Sequence, residues 1–178
     1  MHWQKKWTSL MRDHEYYAHA FVLLDKANGV KNYLEFKELV SVFKDSPKFI
    51  DALLFNREYF KEFEEEFKAS FSTVIYNFLE IIIQDGFIEK LLDIEDEIRN
   101  VLVKNELYNY CVIESSDELS DNMISKMTEM INKRTDNNVE IVRKINKKLK
   151  SGIRVYLNNE SIDLSIVGRL ERLLSEVS

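Results

Sequence analysis

Few residues of this chain could do chemistry, and their spacing does not bring them together. His14 and His19 lie five positions apart, which places them about 140° around a helix rather than on one face. Neither has an acidic or thiol partner at ligand spacing, and His2 lies next to the amino terminus, so we expect no metal site. Cys111, the one cysteine, sits in the apolar run YNYCVIES, which is typical of a buried and unreactive thiol.

Cofactor and nucleophile motifs are also missing from the sequence. It contains no phosphate loop of the type G-x-x-x-x-G-K-[ST], no G-x-G-x-x-G and no G-x-S-x-G turn, and its four isolated glycines cannot build one. Acidic residues are abundant, as in EFEEEF and DIEDEI, but such runs are typical of solvated helix surfaces. We therefore expect a protein that is not an enzyme and that binds no cofactor.

Charge and hydropathy exclude two further classes of partner. A protein that neutralises phosphates carries a basic face, whereas this chain has a net charge of −6, and its basic cluster at 144–154 lacks aromatic residues for base stacking. No signal-peptide pattern opens the chain, and no run approaches 18 consecutive apolar residues. We expect an intracellular protein that binds no nucleic acid and does not insert into a membrane.

The first 107 residues are predicted to form a bundle of six helices. Ser46 followed by Pro47 is a helix start, and Gly86 is a helix end. In the first helix an inward stripe is expected at Tyr17, Ala20, Phe21 and Leu24.

The fifth predicted helix, from Ser70 to about Asp85, has more apolar surface than one stripe needs. Its expected buried stripe comprises Phe71, Val74, Ile75, Phe78, Leu79 and Ile82. Tyr76, Ile81 and Ile83 add apolar surface outside that stripe. A helix that is hydrophobic nearly all round is either central to its bundle or has a partner on its second side.

The pattern changes after Leu107, which places the predicted domain boundary between residues 107 and 108. The segments YNYCVIE, VEIVRKI, IRVYL and ESID are typical of short strands, and a Met-rich helix separates the first two. Asn158-Asn159 is typical of a hairpin turn. Ser165 is expected to cap a closing amphipathic helix. The fold class is therefore mainly α: a helical bundle at 1–107, followed by a small α+β domain at 108–178 with three or four short strands.

The carboxyl-terminal segment closely resembles that of a known family. In the delta subunit of bacterial F-type ATP synthase, related to the mitochondrial oligomycin-sensitivity-conferring protein, an Ile-Asp-x-Ser element precedes a final helix containing Gly-Arg-Leu. Here Ile162-Asp163-x-Ser165 and Gly168-Arg169-Leu170 follow in that order. YYAHAFVLLDKA (16–27) and NFLEIIIQDGFI (77–88) are similar to the family's first helix and its Asn-Phe-Leu segment. The resemblance spans nearly the whole chain.

Several positions depart from the family pattern. Asn146 replaces a usual Asp, Lys150-Ser151 replace small or apolar residues, Phe87 replaces an Arg, and Leu164 replaces a usual Gly. These departures indicate a diverged member.

The resemblance implies a non-catalytic subunit of the peripheral stalk, or stator, that takes part in ATP synthesis and proton transport without catalysing them. In the family, the helical bundle binds the amino-terminal helix of an alpha subunit on the catalytic head, and the carboxyl-terminal domain binds the end of the b-subunit stalk. The complex lies on the cytoplasmic face of the cell membrane. Carried onto this chain, the first and fifth helices provide the expected partner-binding residues Tyr17, Ala20, Phe21, Tyr76, Leu79 and Ile83.

Two alternatives remain open from the sequence. One is a stator-like subunit of a repurposed F-type-like ATPase complex. The other is a free-standing helical adaptor that binds an amphipathic partner helix but no head subunits.

Overall fold

The computed structural model describes residues 13–25, 27–135, 139–158 and 160–163. Within these ranges the chain is mainly helical, with one small sheet near its carboxyl end. Contacts between residues group the chain into two compact units, 1–102 and 103–178. The described helices of the first unit are α1 (Asp13–Leu24), α2 (Gly29–Lys44), α3 (Pro47–Phe55), α4 (Glu64–Ser70), α5 (Thr73–Asp85) and α6 (Leu91–Lys104, whose last residues extend past 102).

The segment that carries the apolar stripe of Tyr59, Phe60, Phe63 and Phe67 is not one continuous α-helix. Its first part is a 3-10 segment, Arg57–Phe63, and only the rest is α4. The Asn56 side chain caps the 3-10 segment by accepting a hydrogen bond from the backbone N–H of Glu58 at 3.1 Å. A second 3-10 segment, Ile88–Lys90, precedes α6.

The core of the first unit forms around aromatic rings contributed by three helices. Phe21 on α1, Phe36 on α2 and Phe78 on α5 contact one another, with ring centroids 4.7 to 5.6 Å apart. All three side chains are buried. Such ring pairs contribute about 0.5–1.5 kcal/mol each beyond the area they bury, so this triad fixes α1 and α2 against α5.

The carboxyl end of α5 is closed by a glycine, as predicted. Gly86 has a φ of +81°, which an L side chain rarely adopts. The backbone N–H of Phe87 donates to the carbonyl of Ile82 at 2.9 Å, and that of Gly86 donates to the carbonyl of Ile83 at 3.0 Å. The Arg57 guanidinium lies across this helix end and donates to the carbonyl of Gln84.

The second unit is built on a four-stranded sheet with the order β2-β1-β3-β4. The strands are β1 (Asn109–Ser115), β2 (Val139–Ile145), β3 (Ile153–Leu157) and β4 (Glu160–Asp163). β1 pairs in parallel with β2 and antiparallel with β3, and β3 pairs antiparallel with β4. Asn158 has a positive φ of 52° in the turn between β3 and β4, as predicted for this hairpin.

A helix covers one face of this sheet. α7 (Asp121–Arg134) begins at Ser120, whose side chain accepts a hydrogen bond from the backbone N–H of Met123 at 3.4 Å. Met127 and Ile131 on α7 form a small core with Cys111 and Ile113 on β1. The expected burial of Cys111 is confirmed, and burial raises the pKa of its thiol to about 11.

The predicted mainly helical fold with a few short strands is confirmed, and the number of strands is four. The closing helix predicted from Ser165 lies outside the described residues. Among the described helices, none combines the length and the hydropathy needed to cross a bilayer.

Candidate functional site

The two helices expected to bind a partner lie against each other. The Tyr17 ring on α1 contacts Phe78 on α5, with centroids 6.4 Å apart, and Phe87 just after α5, at 5.5 Å. The Tyr17 hydroxyl donates to Oδ2 of Asp85 at 2.6 Å. One turn further along α1, Phe21 packs on Phe78 at 4.7 Å. These contacts fix the spacing of α1 and α5 in the first unit.

The other flank of α5 is covered by the chain itself. The Tyr76 ring stacks on Phe60 at 5.4 Å, with an angle of 18° between the rings, and the Lys68 ammonium lies 4.6 Å from the Tyr76 centroid. Burial is the largest effect on the Tyr76 phenol and raises its pKa. Leu79 and Ile83 are fully buried. α5 is therefore central to its unit, with neighbours on both flanks.

A narrow apolar strip remains exposed along this pair of helices. On α5, Val74, Asn77, Ile81 and Gln84 follow one another at steps of three and four residues, and all four are exposed. Ile81, in the middle of the strip, is 50% exposed. Around the axis of α5, this row is adjacent to Phe78 and Asp85, the two residues of α5 that contact Tyr17.

The neighbouring face of α1 is exposed too. Ala20 and Leu24 follow Tyr17 on the side of the helix turned away from the buried Ala18 and Val22, and Leu24 is 67% exposed. Leu23, also exposed, lies beside them. The exposed row of α5 and this face of α1 together are called the α1/α5 strip below; its members are Tyr17, Ala20, Leu23, Leu24, Val74, Asn77, Ile81 and Gln84.

The six residues expected to bind a partner divide into two groups by burial. Tyr17 is half-buried and Ala20 is exposed, so both present surface. The other four, Phe21, Tyr76, Leu79 and Ile83, are buried in the core of the first unit. The expectation that Tyr76 and Ile83 add free apolar surface is therefore corrected, because intramolecular packing already uses that surface.

Two further expectations about the apolar stripes are corrected. Leu24 was placed inside, together with Ala20, but the inner face of α1 is formed by Ala18, Phe21 and Val22. Val74 was placed in the buried stripe of α5, but it is exposed. The exposure of Leu23 was not predicted. Its signal in the sequence is the run FVLL, since four consecutive apolar residues cannot all lie on the inner face of one helix.

The described residues bring no chemical constellation together. His14 is half-buried and His19 is exposed. Within the described ranges, no group of three or more histidine, cysteine, aspartate or glutamate residues is placed to hold a metal ion. The α1/α5 strip, by contrast, combines apolar side chains with a rigid support, which is what a helix-binding surface requires.

A family model matches most of the chain. The model is described as "ATP synthase delta (OSCP) subunit", and it matches residues 14–177.

Several bacterial proteins named "ATP synthase subunit delta" are similar to the chain over most of their length. The chain is 28% identical to "ATP synthase subunit delta" of Mesoplasma florum over 159 residues, which is 85% of this chain and 87% of that protein. It is 27% identical to the protein of that name from Clostridioides difficile, covering 91% of this chain and 93% of the relative. The corresponding protein of Mesomycoplasma hyopneumoniae is 26% identical, with 89% of each chain covered.

A solved structure shares the fold. A chain of the Toxoplasma gondii mitochondrial ATP synthase hexamer, determined by cryo-electron microscopy, matches with a TM-score of 0.69 at 15% identity. The match covers 94% of this chain and 98% of that chain.

Proposed function

Since the chain belongs to the ATP synthase delta (OSCP) subunit family, we propose that it is a non-catalytic subunit of the peripheral stalk of an F-type ATP synthase. It links the alpha/beta catalytic head to the b-subunit stalk, so that the head does not turn with the rotor. The complex lies on the cytoplasmic face of the cell membrane, and this subunit reaches the membrane through its partners.

The observation that carries the proposal is the α1/α5 strip. Its exposed row on α5 has the three- and four-residue spacing along which a partner helix also presents its anchors. Ile81 and Leu24 provide apolar contacts, while Asn77 and Gln84 provide amide groups at the rim. The partner we propose is the amphipathic amino-terminal helix of an alpha subunit.

The buried residues of the expected site support this surface from below. Phe21, Leu79 and Ile83 hold α1 and α5 in place, and Tyr76 anchors α5 on its other flank through Phe60. A surface that is fixed before binding loses little conformational entropy when the partner arrives. Tyr17 and Ala20 contact the partner, and the other four residues position the two helices.

The proposed contact between the α1/α5 strip and the alpha subunit must not dissociate while the rotor exerts torque. This requirement sets the affinity of the contact. A Kd well below micromolar corresponds to roughly −10 kcal/mol or better. At about 25 cal/mol per Å² of apolar surface, more than about 400 Å² must be buried, because association itself costs free energy. A helix of about 15 residues laid along the strip would provide surface of this order on the two partners together.

The carboxyl-terminal domain takes the other half of the linking role. We propose that residues 1–107 bind the catalytic head and that residues 108–178 bind the end of the b-subunit stalk. Support for this division comes from the grouping of contacts into two compact units, with the change at residue 102 in the last turn of α6.

The test uses the full chain as bait for the catalytic head. Wild-type protein should retain alpha and beta subunits in a pull-down and should bind a synthetic peptide of the alpha amino terminus. Ile81→Asp should weaken peptide binding by at least about tenfold, because a carboxylate would be desolvated in the middle of the strip.

The matched control is Leu92→Asp on α6. Leu92 is also 50% exposed and apolar, but it lies outside the strip. If Ile81→Asp and Leu92→Asp weaken peptide binding equally, the peptide does not bind at the α1/α5 strip. Retention of an unrelated helical protein without alpha and beta subunits would instead favour a free-standing adaptor, and ATPase activity of the isolated chain above background would exclude a purely structural role.

A further inference from the structure

The exposed row of α5 alternates between two kinds of side chain. Its order along the helix is Val74, Asn77, Ile81 and Gln84, so an apolar residue is followed by an amide twice. Val74 is 38% exposed and Ile81 is 50% exposed. The two apolar residues are seven positions apart, and so are the two amides, which separates the members of each pair by about 10.5 Å along the helix axis. The row therefore has the heptad spacing with which one helix packs along another.

The two amides of this row are not used within the described part of the chain. Both side chains are exposed, and neither the Asn77 amide nor the Gln84 amide bonds to another described residue. Only the backbone carbonyl of Gln84 accepts a hydrogen bond, from Arg57. The third polar side chain of the α1/α5 strip, that of Tyr17, donates its hydroxyl to Asp85 at 2.6 Å. Asn77 and Gln84 are thus the polar members of the strip that have no intramolecular role among the described residues.

Asn77 also contributes little to the helix that contains it. Asparagine in the interior of a helix is less favourable than leucine, glutamine or alanine, because its side chain competes for backbone hydrogen bonds. Asn77 lies inside α5, more than one residue from either end, and is exposed. Residues that go against a local preference without a compensating contact tend to mark functional positions. For Asn77, the compensating contact would be made with a partner.

We propose that Asn77 and Gln84 determine which partner helix the α1/α5 strip accepts, and in which register that helix lies. This inference rests on the proposed function, in which the partner is the amino-terminal helix of an alpha subunit. The accepted helix presents hydrogen-bonding side chains opposite both amides, seven positions apart in its own sequence. It presents apolar side chains opposite Val74 and Ile81, so its stripe alternates as the row of α5 does.

The selectivity comes from the cost of covering an amide that has no partner. An asparagine or glutamine amide carries two N–H donors and a carbonyl acceptor, and a partner helix removes water from them. An amide left unpaired in the contact weakens binding by about tenfold or more, whereas a matched polar side chain offsets the lost water. A surface built to bond a polar group rejects a ligand that lacks this group more strongly than a purely apolar surface does.

The alternation also fixes the position and the direction of the partner. A shift by three or four residues along α5 brings the partner's apolar side chains opposite Asn77 and Gln84 and a polar one opposite Ile81. Turning the partner end for end in place has the same effect. A row of four apolar residues would tolerate all of these arrangements, which is why a polar residue in the seam of a coiled coil specifies its register.

The experiment is a double-mutant cycle between the full chain and a synthetic peptide of the alpha amino terminus. The chain carries Asn77→Leu and Gln84→Leu together, and the peptide carries leucine in place of the polar residues within its apolar stripe. The double leucine variant should bind the unchanged peptide at least about tenfold more weakly than wild type does, because the peptide's polar groups lose their partners. It should bind the leucine-substituted peptide at least about tenfold more tightly than wild type does.

The matched control is Asn100→Leu. Asn100 is an exposed amide on α6, outside the strip, so its replacement should leave both affinities unchanged. All of these substitutions place a better helix former at an exposed helical position, so the variants should fold as wild type does.

A second readout reports the direction of the bound peptide. A nitroxide label at the amino end of the peptide should broaden the methyl NMR signals of Val74 and Ile81 unequally in wild type, since the peptide lies in one direction. In the double leucine variant the two residues should be broadened to a similar extent, because both directions are then allowed.

Three outcomes would overturn the proposal. The first is unchanged or tighter binding of the unchanged peptide by the double leucine variant, which would make the two amides solvated surface only. The second is binding at the strip by an alpha peptide whose apolar stripe contains no polar residues seven positions apart. In both cases the wild-type chain still retains alpha and beta subunits, so the proposed function stands. The third is the absence of peptide binding by the wild-type chain, and in that case the proposed contact fails as well.

Discussion

The hydroxyl of Tyr17 donates a 2.6 Å hydrogen bond to Oδ2 of Asp85, which joins α1 to the carboxyl end of α5. The two residues are 68 positions apart in the chain. This bond fixes one end of the α1/α5 strip, while the aromatic contacts of Tyr17 with Phe78 and Phe87 fix the ring.

Tyr17→Phe is expected to lower the free energy of unfolding by about 1 kcal/mol, because it removes one hydrogen bond and keeps the ring contacts. Urea unfolding measures the change. Tyr16→Phe is the control, since Tyr16 is an exposed neighbour on the same helix, and its effect should stay within about 0.5 kcal/mol. Equal effects of the two variants would mean that the bond to Asp85 adds nothing to stability.

Gly86→Ala should destabilise the first unit by about 1–2 kcal/mol, because an L side chain is strained at a φ of +81°. A methyl group at Gly86 would also come within 2.6 Å of Nη2 of Arg57. Arg57→Ala in the same chain should recover the steric part of the loss but not the strain. Thermal or urea unfolding of Gly86→Ala, of Arg57→Ala and of the double variant separates the two effects.

Gly29→Ala is the matched control for Gly86→Ala. A methyl group there would meet Leu102 Cδ2 at 3.6 Å, an ordinary contact, and Gly29 opens α2. We expect this variant to be neutral or more stable by up to about 1 kcal/mol, since alanine favours the helix and reduces the entropy of the unfolded chain. A loss as large as that of Gly86→Ala would contradict the explanation based on φ.

Cys111 should make the stability of the second unit sensitive to alkaline pH. Burial raises the pKa of its thiol from an ordinary 9.0 to about 11, so the folded state retains a proton that the unfolded state loses between these values. The contribution of Cys111 is therefore complete below pH 9 and is lost as pH rises through 11. The measurement is the difference in unfolding free energy between wild type and Cys111→Ala, which should shrink between pH 8 and pH 10.5.

Taking this difference cancels the titration of lysine and tyrosine side chains that the two proteins share. A difference that stays constant over the same range would show that the thiol titrates alike in the folded and unfolded states.

The sequence predicted the order and type of the elements well because the helices and strands differ in hydrophobic period. The strands of the second unit are short, β-branched and bounded by turn residues, so their limits agree with prediction to about one residue. The stripe of Tyr59, Phe60, Phe63 and Phe67 does not by itself determine the kind of helix, since its spacing fits a 3-10 segment followed by an α-helix as well as it fits one α-helix.

The candidate site could be predicted only at the level of its two helices. In α1, the residues from Tyr17 to Leu24 are apolar at every position but one, so their spacing does not determine which face is buried. The same problem affects α5, where Tyr76 is covered by Phe60 and Lys68, which belong to the segments before this helix and not to its own periodic pattern. Ile81 is exposed, as its place outside the predicted buried stripe indicated, but only the tertiary contacts identify Leu24 as exposed and Tyr76 and Ile83 as buried.

The strand order β2-β1-β3-β4 has a consequence for how the chain is made. β1 leaves the ribosome before either of its neighbours, and it must wait for residues 139–157 before it can pair on both sides. The helices before it end at Lys104, so all of them are synthesised before β1 and can pack on one another without the sheet. The amino-terminal unit is thus expected to fold while β1 still lacks its partners, so a chain truncated near residue 135 would carry a finished helical unit and one unpaired strand.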